Sequence, residues 1–353
     1  MILFLAKYPE TQEDLKDGMI QRIMHMDNFF SSKKRMYLDV SYSLKKKKKK
    51  RIINEDLEVT ECGFFHFYTI FKIFLKADFV FIHSVFNVLP VFFFILFFNK
   101  KYCIDLHGVV PEETLMLNGD KAKLKFKLFN LCERLLFRKA SYAICVTNAM
   151  RQHYTKKFPN SEVNFLIYSI MPNNILGDES VVLNATDEDS IVNVVYSGNT
   201  QAWQNIDLMC SSIKKNLYDS YKFYILTGNP AEMKSTFKEK GLYPHPKIEI
   251  LSLSPNELKT YYIKAHYGFI LRDDVVVNKV ACPTKMIEYL NYGIVPVVLS
   301  PSVGDFNEMG YEHIKLTDFN KENKPVKSLK NIEIIKELKA RNYKVDIRSI
   351  LNG

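Results

Sequence analysis

The chain has 353 residues, 47% of them hydrophobic and 25% charged, which excludes a disordered protein and leaves enough apolar side chains for sizeable cores. A chain of this length favours two domains. The formal net charge of +10 favours anionic partners such as nucleotide sugars, anionic lipid head groups or nucleic acid. The six cysteines show neither a CxxC pair nor a metal-ligand spacing, which predicts a reduced, cytoplasmic protein without a metal site.

The first half of the chain alternates between apolar runs of strand length and amphipathic runs of helix length. This alternation predicts a parallel sheet with helices on both faces. The very apolar residues 87–98 are too few to span a bilayer, so a buried crossover helix is favoured there over partial insertion into one leaflet. The predicted strands are residues 2–6, 35–43, 57–62, 79–83, 102–106, 142–147 and 164–169, and the predicted helices are 18–29, 64–77, 88–98, 121–140 and 149–158.

Residues 172–190 are polar and rich in turn-forming side chains, which predicts a linker between two domains. The second half then repeats the alternation. Ligands of such folds bind beyond the carboxyl ends of parallel strands, so a site is expected in the loops that follow the strands. Here the predicted strands are residues 192–196, 222–226, 247–251, 267–271 and 295–299, and the predicted helices are 205–217, 231–240, 255–265, 283–292 and 327–343.

The stretch from residue 268 to residue 300 carries the most chemistry. It reads as a strand, a polar loop, a helix with Pro283 at its first position, and a second strand. The amides of residues 284–286 favour an anion, and Lys285 adds a positive charge. Glu288 shares a helix face with Lys285 and can accept hydrogen bonds from the two hydroxyls of a ribose. These features suit a nucleotide diphosphate, and the alternative is an ordinary capped helix with a solvated Lys–Glu pair.

Three stretches resemble family 4 glycosyltransferases, the retaining group with the GT-B fold. They are Asp105-Leu-His-Gly-Val-Val-Pro-Glu-Glu113, Val195-Tyr-Ser-Gly-Asn-Thr-Gln-Ala-Trp-Gln-Asn-Ile-Asp207 and Pro283-Thr-Lys-Met-Ile-Glu-Tyr-Leu-Asn-Tyr-Gly-Ile-Val-Pro296, in the expected order and in both halves of the chain. The resemblance implies an α/β protein of two Rossmann-like, doubly wound domains facing a central cleft. Its expected parts are an acceptor-side domain at 1–171, a nucleotide-sugar-binding domain at 191–327, and a terminal segment, 328–353, that packs back on the first domain.

The resemblance also implies roles for individual residues. His107 is expected to contact the donor sugar, and Lys285 and Arg272 to hold the diphosphate and stabilise the charge of the leaving group. These three are the expected catalytic residues, while His83, at another strand end, is expected to be structural. The expected nucleotide-sugar site comprises Gly18, Gly108, Ser197, Gly198, Gln204, Asn278, Pro283, Thr284, Lys285 and Glu288.

The sequence departs from the family pattern at two positions. Gln204 stands where a phosphate-neutralising lysine is common. Val280 stands where the family has the first residue of an acidic pair. Asp273, Asp274, Asn278 or the backbone amides of the following loop are the candidates to replace that acid.

Residues 45–51 form a run of seven cations that accounts for most of the positive charge, since the rest of the chain carries about +3. The run is either a solvated connection between strands or a segment attracted to an anionic leaflet, where each charge contributes about 1 kcal/mol. It contains no interleaved aromatic residue, which argues against nucleic-acid binding.

Together these features predict a metal-independent, retaining hexosyltransferase that needs no cofactor. It would transfer sugar from a nucleotide diphosphate sugar, with a UDP-sugar expected, to a glycan or lipid-linked acceptor in cell-surface polysaccharide synthesis. Its expected location is cytoplasmic, peripheral on the inner face of the membrane. The alternatives are a sugar-nucleotide epimerase of the same fold and a non-catalytic glycan- or membrane-binding relative. No GxGxxG follows a predicted strand, which argues against a dinucleotide dehydrogenase.

Overall fold

The computed structural model describes residues 1–11, 18–43, 45–116, 119–171 and 191–351, so the predicted linker lies outside the described residues. The chain divides into two compact units. One consists of Met1–Ile170 and Asn342–Gly353, and the other of Met171–Arg341. Each unit has its own sheet, which helices cover.

In its described residues the first unit has eight strands, whose central members are buried along their whole length, as expected when helices cover both faces. They are β1 (Ile2–Leu5), β2 (Arg35–Ser41), β3 (Lys49–Asn54), β4 (Leu57–Gly63), β5 (Phe79–His83), β6 (Lys101–Leu106), β7 (Ala140–Cys145) and β8 (Asn164–Ile167). Their order across the sheet is β3-β4-β2-β1-β5-β6-β7-β8, and of these described strands only β3 runs antiparallel to its neighbour. The helices are α1 (Gly18–Asn28), α2 (Phe67–Lys76), α3 (Phe92–Phe97), α4 (Val110–Leu115), α5 (Asp120–Lys139) and α6 (Asn148–Lys157).

The second unit has, in its described residues, six parallel strands in the order β11-β10-β9-β12-β13-β14. They are β9 (Val192–Ser197), β10 (Tyr221–Leu226), β11 (Ile248–Leu251), β12 (Tyr267–Ile270), β13 (Val295–Val298) and β14 (Ile314–Lys315). The helices are α7 (Ile206–Lys215), α8 (Pro230–Glu239), α9 (Pro255–Lys264), α10 (Val276–Lys279), α11 (Thr284–Asn291) and α12 (Leu329–Tyr343). The core gathers side chains from neighbouring strands, among them Val194, Phe223, Phe269 and Val297.

The predicted α/β class with two Rossmann-like sheets is confirmed, and every predicted strand is present with its ends within two residues of the expected positions. The short elements α4, α10 and β14 were not predicted, and two further stretches differ from their predicted form. The cationic run enters strand β3, where a connection was predicted. Residues 88–98 form a 3₁₀ turn at Leu89–Val91 before the short helix α3, because Pro90 has no amide to donate within a longer helix. Phe93 and Phe97 on α3 are exposed, so this crossover is only half buried.

The end of the chain is shared between the units. Helix α12 belongs to the second unit as far as Arg341, and there the Asn331 amide donates to the carbonyls of Ile294 (3.2 Å) and Glu312 (2.9 Å). The tail from Asn342 onward belongs to the first unit, and its Ile347 and Ile350 enter that core. This division differs from the expected one, in which all of residues 328–353 packed on the first domain.

Gly268 on β12 determines how closely α11 approaches the sheet of the second unit. The ring of Tyr289 on α11 lies directly over this glycine, and a β-carbon there would overlap the ring. The Tyr289 hydroxyl accepts a hydrogen bond from the Ser197 amide at the end of β9, at 2.8 Å. A close helix–strand contact therefore fixes the helix that carries Lys285 and Glu288.

We expect Gly268→Ala to lower the free energy of unfolding by about 1–3 kcal/mol, because the added methyl group must displace the buried Tyr289 ring. Urea denaturation monitored by circular dichroism measures this change. Gly228→Ala is the matched control, since no atom lies within 4 Å of its added β-carbon. Equal stability of the two variants would contradict the close packing.

Candidate active site

Helix α11 places three of the predicted site residues, Thr284, Lys285 and Glu288, at the carboxyl edge of the second sheet. Strand β12 ends at Ile270, the following loop contains Arg272 and helix α10, and α11 then begins at Thr284. Pro283 was predicted to be the first residue of this helix, but it is the N-cap, one position earlier. Its carbonyl accepts a hydrogen bond from the Met286 amide at 2.9 Å, so that amide, expected to be open to an anion, is already bonded.

The ammonium group of Lys285 lies at the centre of this region. Its Nζ donates to Gln204 Oε1 at 2.8 Å and lies 4.2 Å from the centroid of the Tyr196 ring. A β-carbon at Gly198 would lie 3.0 Å from the same Nζ, so a larger residue there would crowd the ammonium group. Burial and the neighbouring Arg272 guanidinium hold the pKa of Lys285 well below its ordinary value. Such a pair of like charges is stabilised by an added anion.

Gln204 acts differently from the lysine that the resemblance leads one to expect. It is buried at the end of a 3₁₀ turn, Ala202–Gln204, and its side-chain oxygen accepts from Lys285. The next residue, Asn205, has a left-handed backbone (φ 51°), and its side chain donates to the Leu271 carbonyl at 2.9 Å. That bond ties the loop to the end of β12. Glutamine thus orients the Lys285 ammonium, where a lysine would add another cation.

Glu288 lies one turn along α11 from Lys285 and is held from α9. The Tyr262 hydroxyl donates to Glu288 Oε2 at 2.9 Å. Burial raises the pKa of the Glu288 carboxyl, and the bond from Tyr262 and the charge of Lys285 offset part of that rise. The Tyr262 ring is itself buried edge-on against Tyr289, with centroids 5.8 Å apart. Sequence reasoning missed Tyr262, because it belongs to no motif.

The loop after β12 uses Asn278 to hold its own shape. Arg272 Nη1 donates to Asn278 Oδ1 at 3.3 Å, and Asn278 Nδ2 donates to the Asp273 carbonyl at 2.9 Å. With Asn278 only 1% exposed, its amide positions Arg272, whereas the sequence suggested that it replaces the missing acid. Asp274, another candidate for that replacement, is exposed and paired with Lys279 at 3.1 Å.

In the first unit, β5 and β6 lead to a buried ion pair that the sequence did not reveal. Arg22 of α1 donates to Asp105 of β6 through Nη2 (2.8 Å to Oδ1) and Nε (3.2 Å to Oδ2). His83 Nδ1 lies 3.2 Å from the same carboxylate. Burial opposes ionisation of Asp105, but Arg22 and His83 outweigh it and hold the pKa of Asp105 well below its ordinary value. The available signal was an arginine among the apolar positions of the buried face of α1.

His107 and Gly108 follow directly after β6. His107 lies near enough to Asp105 for its charge to help lower the pKa of that carboxyl. A β-carbon at Gly108 would overlap the Glu113 carboxylate, so the close approach at this glycine is to the chain's own side chain. Gly18 is the exposed first residue of α1. The structure thus brings His107 and Gly108 together beside the Arg22–Asp105 pair.

The cationic run 45–51 lies beside carboxylates. Strand β3 places it next to the acidic side chains of β4, so its charge is partly neutralised, while Lys47, Lys48 and Lys49 are exposed. The surface is therefore less positive than the sequence alone indicates. The ion pairs of the run are Lys46–Asp39, Lys46–Glu61, Lys50–Glu58, Arg51–Glu61 and Arg51–Glu10.

Within the part of the chain that the structure describes, no helix is long and apolar enough to cross a membrane. The same residues contain no group of three His, Cys, Asp or Glu side chains arranged to hold a metal ion.

No protein-family model and no curated protein sequence matches this chain. Solved structures do resemble it over nearly its whole length. Sucrose-phosphate synthase from Thermosynechococcus elongatus aligns with a TM-score of 0.60 at 9% identity, covering 97% of this chain and 90% of that chain. HepE of Anabaena, solved in complex with UDP-glucose, gives a TM-score of 0.57 at 10% identity and covers 99% of this chain and 97% of its own.

WaaG, a glycosyltransferase involved in lipopolysaccharide biosynthesis, aligns with a TM-score of 0.55 at 11% identity, covering 100% of this chain and 98% of that chain. At such low identity these likenesses establish the fold alone.

We expect Asp105→Asn to lower the free energy of unfolding at neutral pH by about 3–5 kcal/mol, because it leaves the buried Arg22 guanidinium without its counter-charge. Because the pKa of Asp105 is lower in the folded protein than its ordinary value of 3.8, the ion pair stabilises the wild type fully above that pH. This stabilisation is lost as the pH falls further. Urea denaturation at several pH values measures both effects. The difference in free energy of unfolding between the wild type and Asp105→Asn should become smaller below pH 3.8. The control is Asp120→Asn, which changes an exposed carboxylate. If the difference in unfolding free energy between the wild type and Asp105→Asn did not depend on pH, the ion pair would not be the source of this stability.

Proposed function

We propose that this chain, which has the GT-B fold, is a glycosyltransferase that takes its sugar from a nucleotide diphosphate sugar. One observation carries the proposal. At the carboxyl edge of the second sheet, two neighbouring cations, Lys285 and Arg272, lie beside a carboxylate, Glu288, that faces Lys285 from the next turn of α11. This is where ligands bind in open α/β sheets.

In this proposal the diphosphate lies against Lys285 and Arg272. An anion relieves the repulsion between the two cations and makes charge-assisted hydrogen bonds with them. When the bond between the sugar and the diphosphate breaks, negative charge develops on the leaving phosphate, and the same cations stabilise it. Gly198 lies against the Lys285 ammonium, and we propose that its backbone, which carries no side chain, comes close to the phosphate. The resemblance also implies that Ser197, Pro283 and Thr284 belong to the proposed nucleotide-sugar site.

Glu288 is proposed to bind the ribose. Tyr262 occupies Oε2 and so fixes the orientation of the carboxylate. A carboxylate accepts several hydrogen bonds, so its remaining capacity serves the ribose hydroxyls. The charge of Lys285 offsets part of the rise that burial causes in the pKa of Glu288, and in this way favours the charged carboxylate.

The finer parts of the proposal rest on the sequence resemblance and on the relatives' known ligands. The likeness to HepE with bound UDP-glucose supports a UDP-sugar as donor. The likeness to WaaG supports a glycan or lipid-linked acceptor in cell-surface polysaccharide synthesis. We propose retention of configuration and a sugar contact through His107, as the resemblance implies, with Gly18 and Gly108 near the substrates.

We expect Lys285→Ala and Glu288→Ala each to weaken UDP binding by roughly 10- to 100-fold, because each removes a hydrogen bond with a charged group worth about 1.5–3 kcal/mol. Isothermal titration calorimetry gives the Kd values. Lys279→Ala and Glu308→Ala remove exposed charges of the same unit and should bind UDP like the wild type.

Unchanged UDP binding by both site variants would refute the assignment of the site. A wild type that binds no nucleotide would favour the non-catalytic relative. Conversion of a labelled UDP-sugar to a different UDP-sugar without any acceptor would favour the epimerase.

A further inference from the structure

The first unit exposes large apolar side chains on three helices, α2, α3 and α5. On α2, Phe67, Phe71 and Leu75 form one exposed stripe, since they follow at spacings of four residues. Tyr68 beside them is 70% exposed. Single exposed apolar residues are ordinary, but a stripe along a whole helix is not.

Helices α3 and α5 repeat the pattern. On α3, Phe93 (58% exposed) and Phe97 (78% exposed) lie one turn apart, with Leu96 between them. On α5, three leucines at spacings of four and three residues form a third stripe, namely Leu124, Leu128 and Leu131. Aromatic rings and leucines are the residues with which helices enter the outer layer of a membrane.

The three helices lie side by side. Helix α3 packs against both α2 and α5. Phe94 of α3 stacks on Phe74 of α2 at 5.5 Å, and Phe98 lies 5.4 Å from Phe71. The helices follow β4, β5 and β6, and each crosses to the next strand in the same direction, so right-handed crossovers place them on one face of the sheet. We refer to the exposed side chains of α2, α3 and α5 as the aromatic face.

The charge around the aromatic face is positive. Lys72 lies over the Tyr68 ring at 4.2 Å, and Lys76 is the last residue of α2. Exposed basic residues also flank the leucine stripe of α5, namely Lys121, Lys123, Lys125, Lys127, Arg134 and Arg138. Within the three helices, which are described in full, the carboxylates are Asp120, at the start of α5, and Glu133, which is buried.

We propose that the aromatic face binds the surface of a membrane that contains anionic lipids. The apolar stripes would contact the acyl chains of the lipids, and the flanking lysines would contact the phosphate groups above them. The excess of positive charge disfavours a second copy of the same face, because two such faces would repel each other. This inference is independent of the proposed transferase activity, and it assigns membrane contact to a surface other than the partly neutralised run 45–51.

Co-sedimentation with phosphatidylcholine vesicles, with and without phosphatidylglycerol, tests the proposal with the full-length protein. We expect binding to the anionic vesicles that weakens as salt is raised. The triple variant Phe71→Ser, Phe93→Ser, Phe97→Ser should bind these vesicles at least about tenfold more weakly than the wild type. It removes three exposed rings, and none of the three belongs to the buried core. Lys123→Gln with Lys127→Gln should also bind more weakly, by about fivefold for each charge.

The matched apolar control is Leu208→Ser, Val326→Ser, Leu329→Ser, which removes three exposed side chains of the second unit. The matched charge control is Lys47→Gln with Lys48→Gln in the cationic run. Both controls should bind vesicles like the wild type. The proposal would be overturned if the wild-type protein bound no vesicles. It would also be overturned if, among the variants, only the charge control lost binding. A lipid-free dimer that the triple aromatic variant converts to a monomer would overturn it as well, because the face would then be an interface between copies.

Discussion

The candidate site of the second unit depends on the placement of one ammonium group. Lys285 Nζ is held by Gln204, lies over the Tyr196 ring, and faces a second cation in Arg272. A cation removed from water beside another cation is unfavourable by itself, so the surrounding chain must hold it there by geometry. Charge that is already in position needs no rearrangement when an anion arrives, which is the physical basis for proposing a diphosphate here.

The support for that group extends through the whole of α11. At its middle, the Tyr289 ring lies on Gly268 and its hydroxyl bonds the Ser197 amide, so the helix cannot shift along the sheet. At its end, the partly buried Lys327 ammonium donates to the carbonyls of Tyr262 and Tyr292, both at 2.9 Å. Burial lowers the pKa of Lys327 to about 7. A donor at this end satisfies carbonyls that the helix leaves open.

The first unit handles charge in two opposite ways. Inside, the buried Arg22 and Asp105 form an ion pair near the end of β6, and His83 contacts the same carboxylate. Outside, the cationic run is paired with acids of β4, while the basic residues of α2 and α5 border exposed rings. Ion pairs between strands therefore neutralise part of the positive charge that the sequence concentrates in residues 45–51. The surface that remains both apolar and positive is the aromatic face.

The sequence by itself determined the alternation of strands and helices, the two-sheet α/β class and the position of α11, because burial periodicity is a local property that any window of the chain displays. It also singled out Lys285, Glu288 and Arg272 as candidate site residues, since they lie within one short stretch of the chain. Only the tertiary structure decided which partners these groups meet. The Lys285–Gln204, Glu288–Tyr262 and Arg22–Asp105 contacts join residues 81, 26 and 83 positions apart, and no local pattern records which strand ends lie together. For the same reason the sequence left open whether Asn278 replaces the missing acid and whether the cationic run meets a membrane, whereas the fold bonds Asn278 to Arg272 and pairs part of the run with β4.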